Sequence, residues 1–341
     1  MVKHSTLSQL LPYVADATQQ AWLRSLLSEE NRAAFKAFVV DGGKTLCHLL
    51  INGGELSSCK VPLADFLHVL PFLQPRYYTI SSSSSCYPNT VHITVSITEF
   101  AVANGSRKLK GVCSGYLQRL LPGSASPAAA CRVFVRPSTF RLPKLLSTPI
   151  VMIGPGDRPD RQLPSPHQLP LSLATIHTVC HLCNISFLSI CWPGTGVAPM
   201  RALLQDRRWQ AEQGSNGSGG KNTLYFGCQK STVDFIYKDE IEAMATSKVI
   251  SHLHLAFSRE QEKKVYVQHL ISRPENAQAL MSDLDQGGYI YVCGATGMGV
   301  DVMEAIVKVI MEQKTLKKEA AVEFVKDLQK KGRYVQELWT A

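Results

Sequence analysis

From Pro149 to the carboxyl terminus, short apolar runs take turns with segments whose apolar residues recur at three- and four-residue steps. The runs are PIVMIG, TLYFGC, SHLHLAFS and GGYIYVCG. The helical segments are VAPMRALLQDRRWQAEQ, DFIYKDEIEAMA, VYVQHLISRPENAQAL and VDVMEAIVKVIMEQK. A strand that reads apolar throughout is covered on both faces, and consecutive parallel strands need a helical crossover between them. The alternation therefore predicts a doubly wound parallel sheet. Upstream the periods differ. Residues 7–50 and 62–73 carry helical spacing, whereas RYYTIS, VHITVSITEF and CRVFVRPS alternate apolar with polar and predict antiparallel strands. The expected order is a helical segment over 1–74, a β unit over 75–147 and an α/β unit over 148–341.

The first strand of the α/β unit meets an oddity. VMIGPG at 151–156 begins a strand and glycine turn, but GTGVAPM, the continuation that such a turn needs, stands at 194–200. Removing 157–194 gives VMIGPGTGVAPM, one continuous strand, turn and helix start. Three readings stay open for the interval: translated intron, favoured by the repeated Pro-Gly and the lack of helix or strand punctuation; a looped-out insertion; or a new site. His177, Cys180, His181 and Cys183 have thiolate and imidazole ligands suited to zinc. Adjacent ligands at 180 and 181 are awkward on regular backbone, so no metal is expected.

Bulk properties narrow the class. The net charge is +9, yet no long basic run interleaved with aromatics occurs, so a phosphate cofactor or acidic protein fits better than nucleic acid. Ten cysteines without regular spacing, several inside apolar runs, read as reduced thiols and a reducing compartment. The first twenty residues are neither a signal peptide nor a membrane span, and no later run has membrane length. The chain as written is expected to be cytoplasmic.

Ligands of an open parallel sheet bind beyond the carboxyl ends of its strands. There the glycine turn lets backbone N–H groups approach a pyrophosphate at a helix start. Ser258, Arg259 and Lys264 follow HLHLAFS, with Tyr266 beside them as a stacking surface. A hydroxyl, a guanidinium and an ammonium suit a phosphomonoester, at about 1.5–3 kcal/mol for each charge-assisted hydrogen bond. Most such clusters are solvated loops. Cys293 ends an apolar run, as packed thiols do. Trp339, close to the terminus, reads as a frayed tail or as a lid on a planar ring.

Taken together and in order, RYYTISSSS, KGVCSGYL, PGTGVAPMRALLQDR, LYFGCQ, AFSREQEKKVYVQHLI, YIYVCGA and GRYVQELW resemble the diflavin reductases. The resemblance covers nearly all of the chain from about Gln74, apart from the interval, and the helices before it weakly. It implies an α/β plus β fold: an antiparallel FAD-binding β-barrel with a helical connecting segment, then a doubly wound NADP-binding domain of the ferredoxin–NADP reductase kind. It implies FAD and NADPH as cofactors, with hydride passing to FAD. An FMN-binding flavodoxin-like domain and a haem protein such as a cytochrome P-450 would then receive electrons. It further implies that a full-length relative sits at the cytosolic face of the endoplasmic reticulum.

By the same resemblance, Arg76, Tyr77, Tyr78 and Thr79 form a flavin-binding strand, with Tyr78 on the ring. Thr94, Val95 and Ser96 form a second such strand, and Phe100 stands where the family commonly has Tyr. Gly111, Val112, Cys113 and Ser114 match the loop at the FAD pyrophosphate. Thr195 matches the glycine-turn threonine that meets NADP, Ser258, Arg259, Lys264, Tyr266 and Gln268 the NADPH run, and Asp301 a later NADP contact. Trp339 matches the aromatic that covers the flavin. The Ser, Cys and Asp that assist hydride transfer correspond to Thr79, Cys293 and Glu337. Gln229 and Ala295 replace an Arg and an Asp that are usual, which would loosen nucleotide binding. Set beside that family, the sequence is expected to lack the FMN module, the anchor and the barrel's upstream strands, so an open barrel is expected. The rival readings are another diflavin enzyme, of the sulfite reductase flavoprotein or nitric oxide synthase type, and a non-catalytic fragment.

Overall fold

The computed structural model describes residues 2–102, 107–120, 131–155, 178–180, 183–191, 195–214 and 219–339. Its helices are α1 (His4–Leu10), α2 (Ala17–Leu26), α3 (Arg32–Phe35), α4 (Leu46–Leu50), α5 (Leu63–Val69), α6 (Val112–Arg119), α7 (Ala198–Glu212), α8 (Lys238–Thr246), α9 (Val267–Ile271), α10 (Pro274–Asp285), α11 (Thr296–Lys314) and α12 (Lys318–Lys330). Its strands are β1 (Thr90–Ser96), β2 (Glu99–Val102), β3 (Arg107–Lys110), β4 (Ile150–Pro155), β5 (Thr178–Cys180), β6 (Cys183–Cys191), β7 (Asn222–Cys228), β8 (His252–Phe257), β9 (Tyr289–Ala295) and β10 (Tyr334–Trp339). Two compact units result, one from residues 1–77 and 98–115, the other from 78–97 and 116–341.

In the first unit, α1 to α5 close over Leu7, Leu10, Leu23, Val39, Leu49 and Leu56, all fully buried. Local chemistry sets the helix starts. Asp16 caps α2 by accepting the Gln19 N–H at 2.8 Å, and Thr45 and His48 form a reciprocal cap on α4. The antiparallel β2–β3 hairpin belongs to this unit and rests on the turn at Gly43. That glycine has φ +59, and a Cβ there would lie 2.6 Å from Val102 Cγ1, so only glycine fits.

The second unit holds a five-stranded, all-parallel sheet of order β10-β9-β4-β7-β8. Helices α7 and α8 bury one face with Ile150, Met152, Leu224, Phe226 and Tyr291. Helices α9 to α12 bury the other with Ile153, Tyr225, Ile290 and Val292. Each such side chain contributes about 1.5–3 kcal/mol by leaving water. Burial on both faces is what uninterrupted apolar runs predict, and the doubly wound sheet is as expected.

The split turn closes. A Cβ on Gly154 would lie 2.6 Å from the Gly196 carbonyl oxygen and 2.9 Å from Val197 Cα. The end of β4 therefore abuts the one-turn helix Thr195–Val197 that leads into α7, although the residues are far apart in sequence. The repeated Pro-Gly, apart from Pro155, lies outside the described residues. Part of the interval forms strands where no strand punctuation was read. β6 (CNISFLSIC) pairs in parallel with β1 and antiparallel with β5. Its Ile and Phe content suits a strand, and β1 offers it a hydrogen-bonding edge.

Several elements differ from their sequence reading. RYYTIS is no strand and makes only an isolated bridge between Ile80 and Ile93. CRVFVRPS forms no strand. Alternation predicts a pleated surface, but a strand also needs a continuous ladder beside it, and RYYTIS reaches β1 only through the Ile80–Ile93 bridge and the Ser81 N–H on the His92 carbonyl. VHITVSITEF breaks between β1 and β2 at Ile97–Thr98. VYVQHLISRPENAQAL is two helices, because Pro274 starts α10 afresh. Helix α12 has no counterpart in the sequence reading. The terminal YVQELW is an edge strand paired with β9 rather than a frayed tail.

The segment 78–97 is fixed to α7 and α8 by a buried polar network. Arg201 pairs with Glu240 at 2.6 Å, donates to the Ser81 carbonyl at 2.7 Å, and lies 4.6 Å from the centroid of the Tyr237 ring. Ser83 and Ser85 donate hydroxyls to Asp206 at 2.9 and 2.7 Å. No helix among the described residues is long and apolar enough to cross a membrane.

Candidate functional site

The carboxyl ends of the parallel strands gather the expected residues in three groups. In the first, Cys293 on β9 stands in register opposite Glu337 on β10. The Glu337 Oε2 atom accepts the Thr79 hydroxyl at 3.1 Å. Thr79, Cys293 and Glu337, separated widely in sequence, thus meet. Cys293 is fully buried, and burial first and Glu337 second push its thiol pKa well above the usual range. The thiol therefore holds its proton at neutral pH. Trp339 ends β10, 36% exposed, and its carbonyl accepts the Thr296 hydroxyl at 3.1 Å. Ala295, its register partner, closes β9.

The second group is the rejoined glycine turn. Thr195 is half-buried at the entry to α7, and Gly196 approaches Gly154 at a separation that leaves no room for a side chain. Backbone N–H groups at this helix start are the natural partners of an anion. The third group follows β8. The Ser258 N–H donates to the Cys228 carbonyl at 2.9 Å and that of Arg259 to the Gln229 carbonyl at 2.9 Å, so the end of β7 sets the course of the loop. Ser258 is 2% exposed, whereas the Arg259 and Lys264 side chains reach solvent. Glu260 accepts the Ser231 N–H at 2.5 Å and hydroxyl at 2.6 Å, which lowers its carboxyl pKa chiefly through the hydroxyl. Tyr266 precedes α9, with its N–H on His269 Nδ1 at 3.1 Å. Gln268 donates to Asp301 at 3.4 Å, which joins two further expected residues.

The remaining expected residues divide between the two units. Tyr78, half-buried, precedes Thr79 in the second unit. Thr94, Val95 and Ser96 lie on β1 there, with the Thr94 and Tyr237 hydroxyls 2.7 Å apart. Arg76 and Tyr77 belong to the first unit; both are exposed, and Arg76 donates to the Gln74 carbonyl. Phe100 sits on β2 opposite Leu109. Gly111 donates its N–H to the Thr98 carbonyl at 2.7 Å, and a Cβ there would fall 2.6 Å from the Ser114 hydroxyl. That hydroxyl accepts the Thr98 N–H at 3.1 Å, Val112 is exposed, and Cys113 is half-buried at the start of α6. The result is a tight glycine loop that delivers a helix start. Cys180 pairs in register with Cys183, while His177 and His181 lie outside the described residues.

Sequence reasoning missed two residues. Arg201 lies within the PGTGVAPMRALLQDR run with no role of its own in the sequence reading, yet it is 9% exposed. Ser138, in the RPSTF stretch, donates its hydroxyl to Glu337 Oε1. Neither residue is set apart by its immediate neighbours in the sequence.

Comparison with known proteins agrees with this arrangement. Residues 1–116 match the FAD binding domain family, and residues 190–304 match the oxidoreductase NAD-binding domain family. NADPH–cytochrome P450 reductase of Drosophila melanogaster is 32% identical over 338 residues, which covers 98% of this chain and 43% of that protein. The reductases of Sus scrofa and Homo sapiens are 33% and 32% identical over 341 and 340 residues, again with 98% of this chain covered. The chain spans less than half the length of these relatives. With an FAD binding domain, an NAD-binding domain and this likeness along almost its whole length, the chain belongs to the diflavin reductase family and corresponds to its C-terminal FAD- and NADPH-binding portion.

Proposed function

We propose that the chain binds FAD and NADPH and carries out the first half of a haemoprotein reductase reaction. Thr79, Cys293 and Glu337, grouped at one sheet end through the 3.1 Å Thr79–Glu337 bond, are the observation that carries this reading. The bound cofactors supply the chemistry itself, transfer of hydride from nicotinamide to flavin. The residues present suit both groups: the close Gly154–Gly196 approach brings the start of α7 to the strand end, where its backbone N–H groups would meet a diphosphate, and the tight Gly111 loop delivers the start of α6 in the same way.

In this reading, Thr195 and the start of α7 hold the nucleotide diphosphate. Ser258, Arg259 and Lys264 grip a ribose phosphate, Tyr266 flanks the adenine, and Gln268 and Asp301 brace the same pocket wall. Thr79 donates to Glu337, and Cys293 keeps its proton beside them. Trp339 shields a flavin face and moves aside before nicotinamide stacks there. Tyr78, with Arg76, Tyr77, Thr94, Val95, Ser96 and Phe100, lines the flavin, and Gly111, Val112, Cys113 and Ser114 take its diphosphate. We assign residues 1–74 to the connecting segment, 75–147 to a β-barrel that holds FAD and 148–341 to the nucleotide domain. Electrons would leave to an FMN-binding flavodoxin-like domain and then to a haem protein such as a cytochrome P-450, at the cytosolic face of the endoplasmic reticulum.

Protein purified with FAD should bleach on addition of NADPH and reduce ferricyanide. Charge-assisted contacts to the extra phosphate should favour NADPH over NADH by at least tenfold, on the order of 1.5 kcal/mol or more. Replacing Trp339 by Ala should weaken that preference. Equal affinity for the two nucleotides, together with unaltered flavin reduction in the Trp339 variant, would overturn the assignment.

A further inference from the structure

We propose that Ser138 is a positioning residue for hydride transfer, holding one oxygen of Glu337 while Thr79 holds the other. The inference rests on the reading above and extends it to a residue outside the group that the family likeness identifies.

Glu337 lies on β10, an edge strand. A glutamate side chain there has three rotatable bonds and a neighbouring strand on one side only, so its carboxylate direction needs an external constraint. Two hydroxyls supply one. Thr79 donates to Oε2 at 3.1 Å, and Ser138 donates to Oε1. With both oxygens engaged, rotation about the last bond is blocked.

The Ser138 hydroxyl is itself directed. Its oxygen accepts the Phe140 N–H at 2.9 Å, which leaves its proton for the carboxylate. The stretch that carries it is pinned to β9. The Phe140 ring lies 5.4 Å from that of Tyr291, tilted by 56°, and the Tyr291 hydroxyl donates to the Arg141 carbonyl at 2.6 Å. Tyr291 and Cys293 share one sheet face, with Phe140 packed against the same core. A surface loop with no ladder of its own is thus aimed at Glu337 by the strand that bears Cys293. Solvent exposure of Ser138 means that its loss leaves no buried polar atom and little change in folding.

The test compares FAD-loaded wild-type protein with Ser138→Ala and Ser138→Thr. In rapid mixing with NADPH, Ser138→Ala should bleach its flavin about 10- to 100-fold more slowly, the usual worth of a hydrogen bond to a charged group. Ser138→Thr should restore most of the rate, since it keeps the hydroxyl. The dissociation constant for NADP and the melting temperature should stay within twofold and two degrees or so of wild type. A second readout needs no turnover. In protein carrying ¹³C at glutamate side-chain carboxyls, the Glu337 resonance should shift and broaden in Ser138→Ala and recover in Ser138→Thr. A wild type that bleaches, with Ser138→Ala equal to it in rate and in the Glu337 resonance, overturns this inference alone. A wild type that binds FAD and NADPH but never bleaches overturns the functional reading and this inference with it.

Discussion

Gly154→Ala is the sharpest perturbation of the reformed turn. The new methyl would sit 2.6 Å from the Gly196 carbonyl oxygen, 2.8 Å from the Gly196 carbonyl carbon and 2.9 Å from Val197 Cα. All three are backbone atoms, so no side-chain rotation relieves the clash. Ordinary contact at about 3.5 Å requires a displacement of nearly an ångström. β4 cannot supply it, because it is hydrogen-bonded to β7 on one side and β9 on the other. The Thr195–Val197 turn must therefore move away from the strand end, at a cost towards the upper end of the 1–3 kcal/mol typical of overpacking, about 3 kcal/mol. Urea unfolding at constant slope would measure it, and titration with NADP would measure the coupled loss of the anion site. Gly297→Ala is the control: nothing lies within 4 Å of its Cβ position, in the first turn of α11, and it should change stability by less than about 1 kcal/mol. If Gly154→Ala unfolds and binds NADP like wild type, β4 and the 195–197 turn are not adjacent in the folded chain.

Two further predictions concern the network under segment 78–97. Arg201→Met removes the cation but leaves Glu240 and the Ser81 carbonyl behind, so urea unfolding should show a loss of about 3 kcal/mol, the low end for breaking a buried pair because Glu240 retains some contact with water. Burial, and the Arg201 charge after it, hold the His92 pKa at about 4, with Glu240 opposing. Since the unfolded chain takes up that proton near pH 6.5, the stability due to a neutral His92 is intact above pH 6.5 and lost as pH falls through 4. The wild-type minus His92→Gln difference should then fall by about 3 kcal/mol across that window, and a flat difference would refute the assignment.

How far the sequence was legible depended on whether a residue's partner was near it in the chain. PIVMIG, TLYFGC, SHLHLAFS and GGYIYVCG declared β4, β7, β8 and β9 through their apolar content, because both faces of each are covered by helices. Pro274 was visible, but its effect needed the rule that proline starts a helix more readily than it continues one. α12 was overlooked despite a strongly one-sided pattern, KEAAVEFVKDLQK, since its charges dominate the composition. RYYTIS and CRVFVRPS misled for the opposite reason: alternation reports which face is wet, not whether a neighbouring strand exists. At the candidate site, Thr79, Cys293 and Glu337 were legible only through family likeness. The likeness carried no message about Ser138 or Arg201, whose partners include Glu337 and the Ser81 carbonyl, each more than a hundred positions away along the chain.

The interval 157–194 bears on binding more than on folding. The chain leaves the sheet at Pro155 and reaches the one-turn helix before α7 at Thr195, and the flanking residues Gly154 and Gly196 approach closely. Closing a loop costs free energy that grows only as the logarithm of its length, about 0.6 kcal/mol per doubling, so even a long excursion between touching ends is a small burden on the sheet. Location is the larger matter. The excursion departs from the carboxyl end of a central strand and returns at the start of α7, where an anion would meet backbone N–H groups. The two ends of the interval and the proposed nucleotide entrance therefore share one place. A variant that joins Gly156 directly to Thr195 should therefore unfold with nearly the same midpoint as the full chain yet bind NADP more tightly. If the shortened chain fails to fold, the β1–β6 pairing is structural rather than incidental, and the interval belongs to the fold.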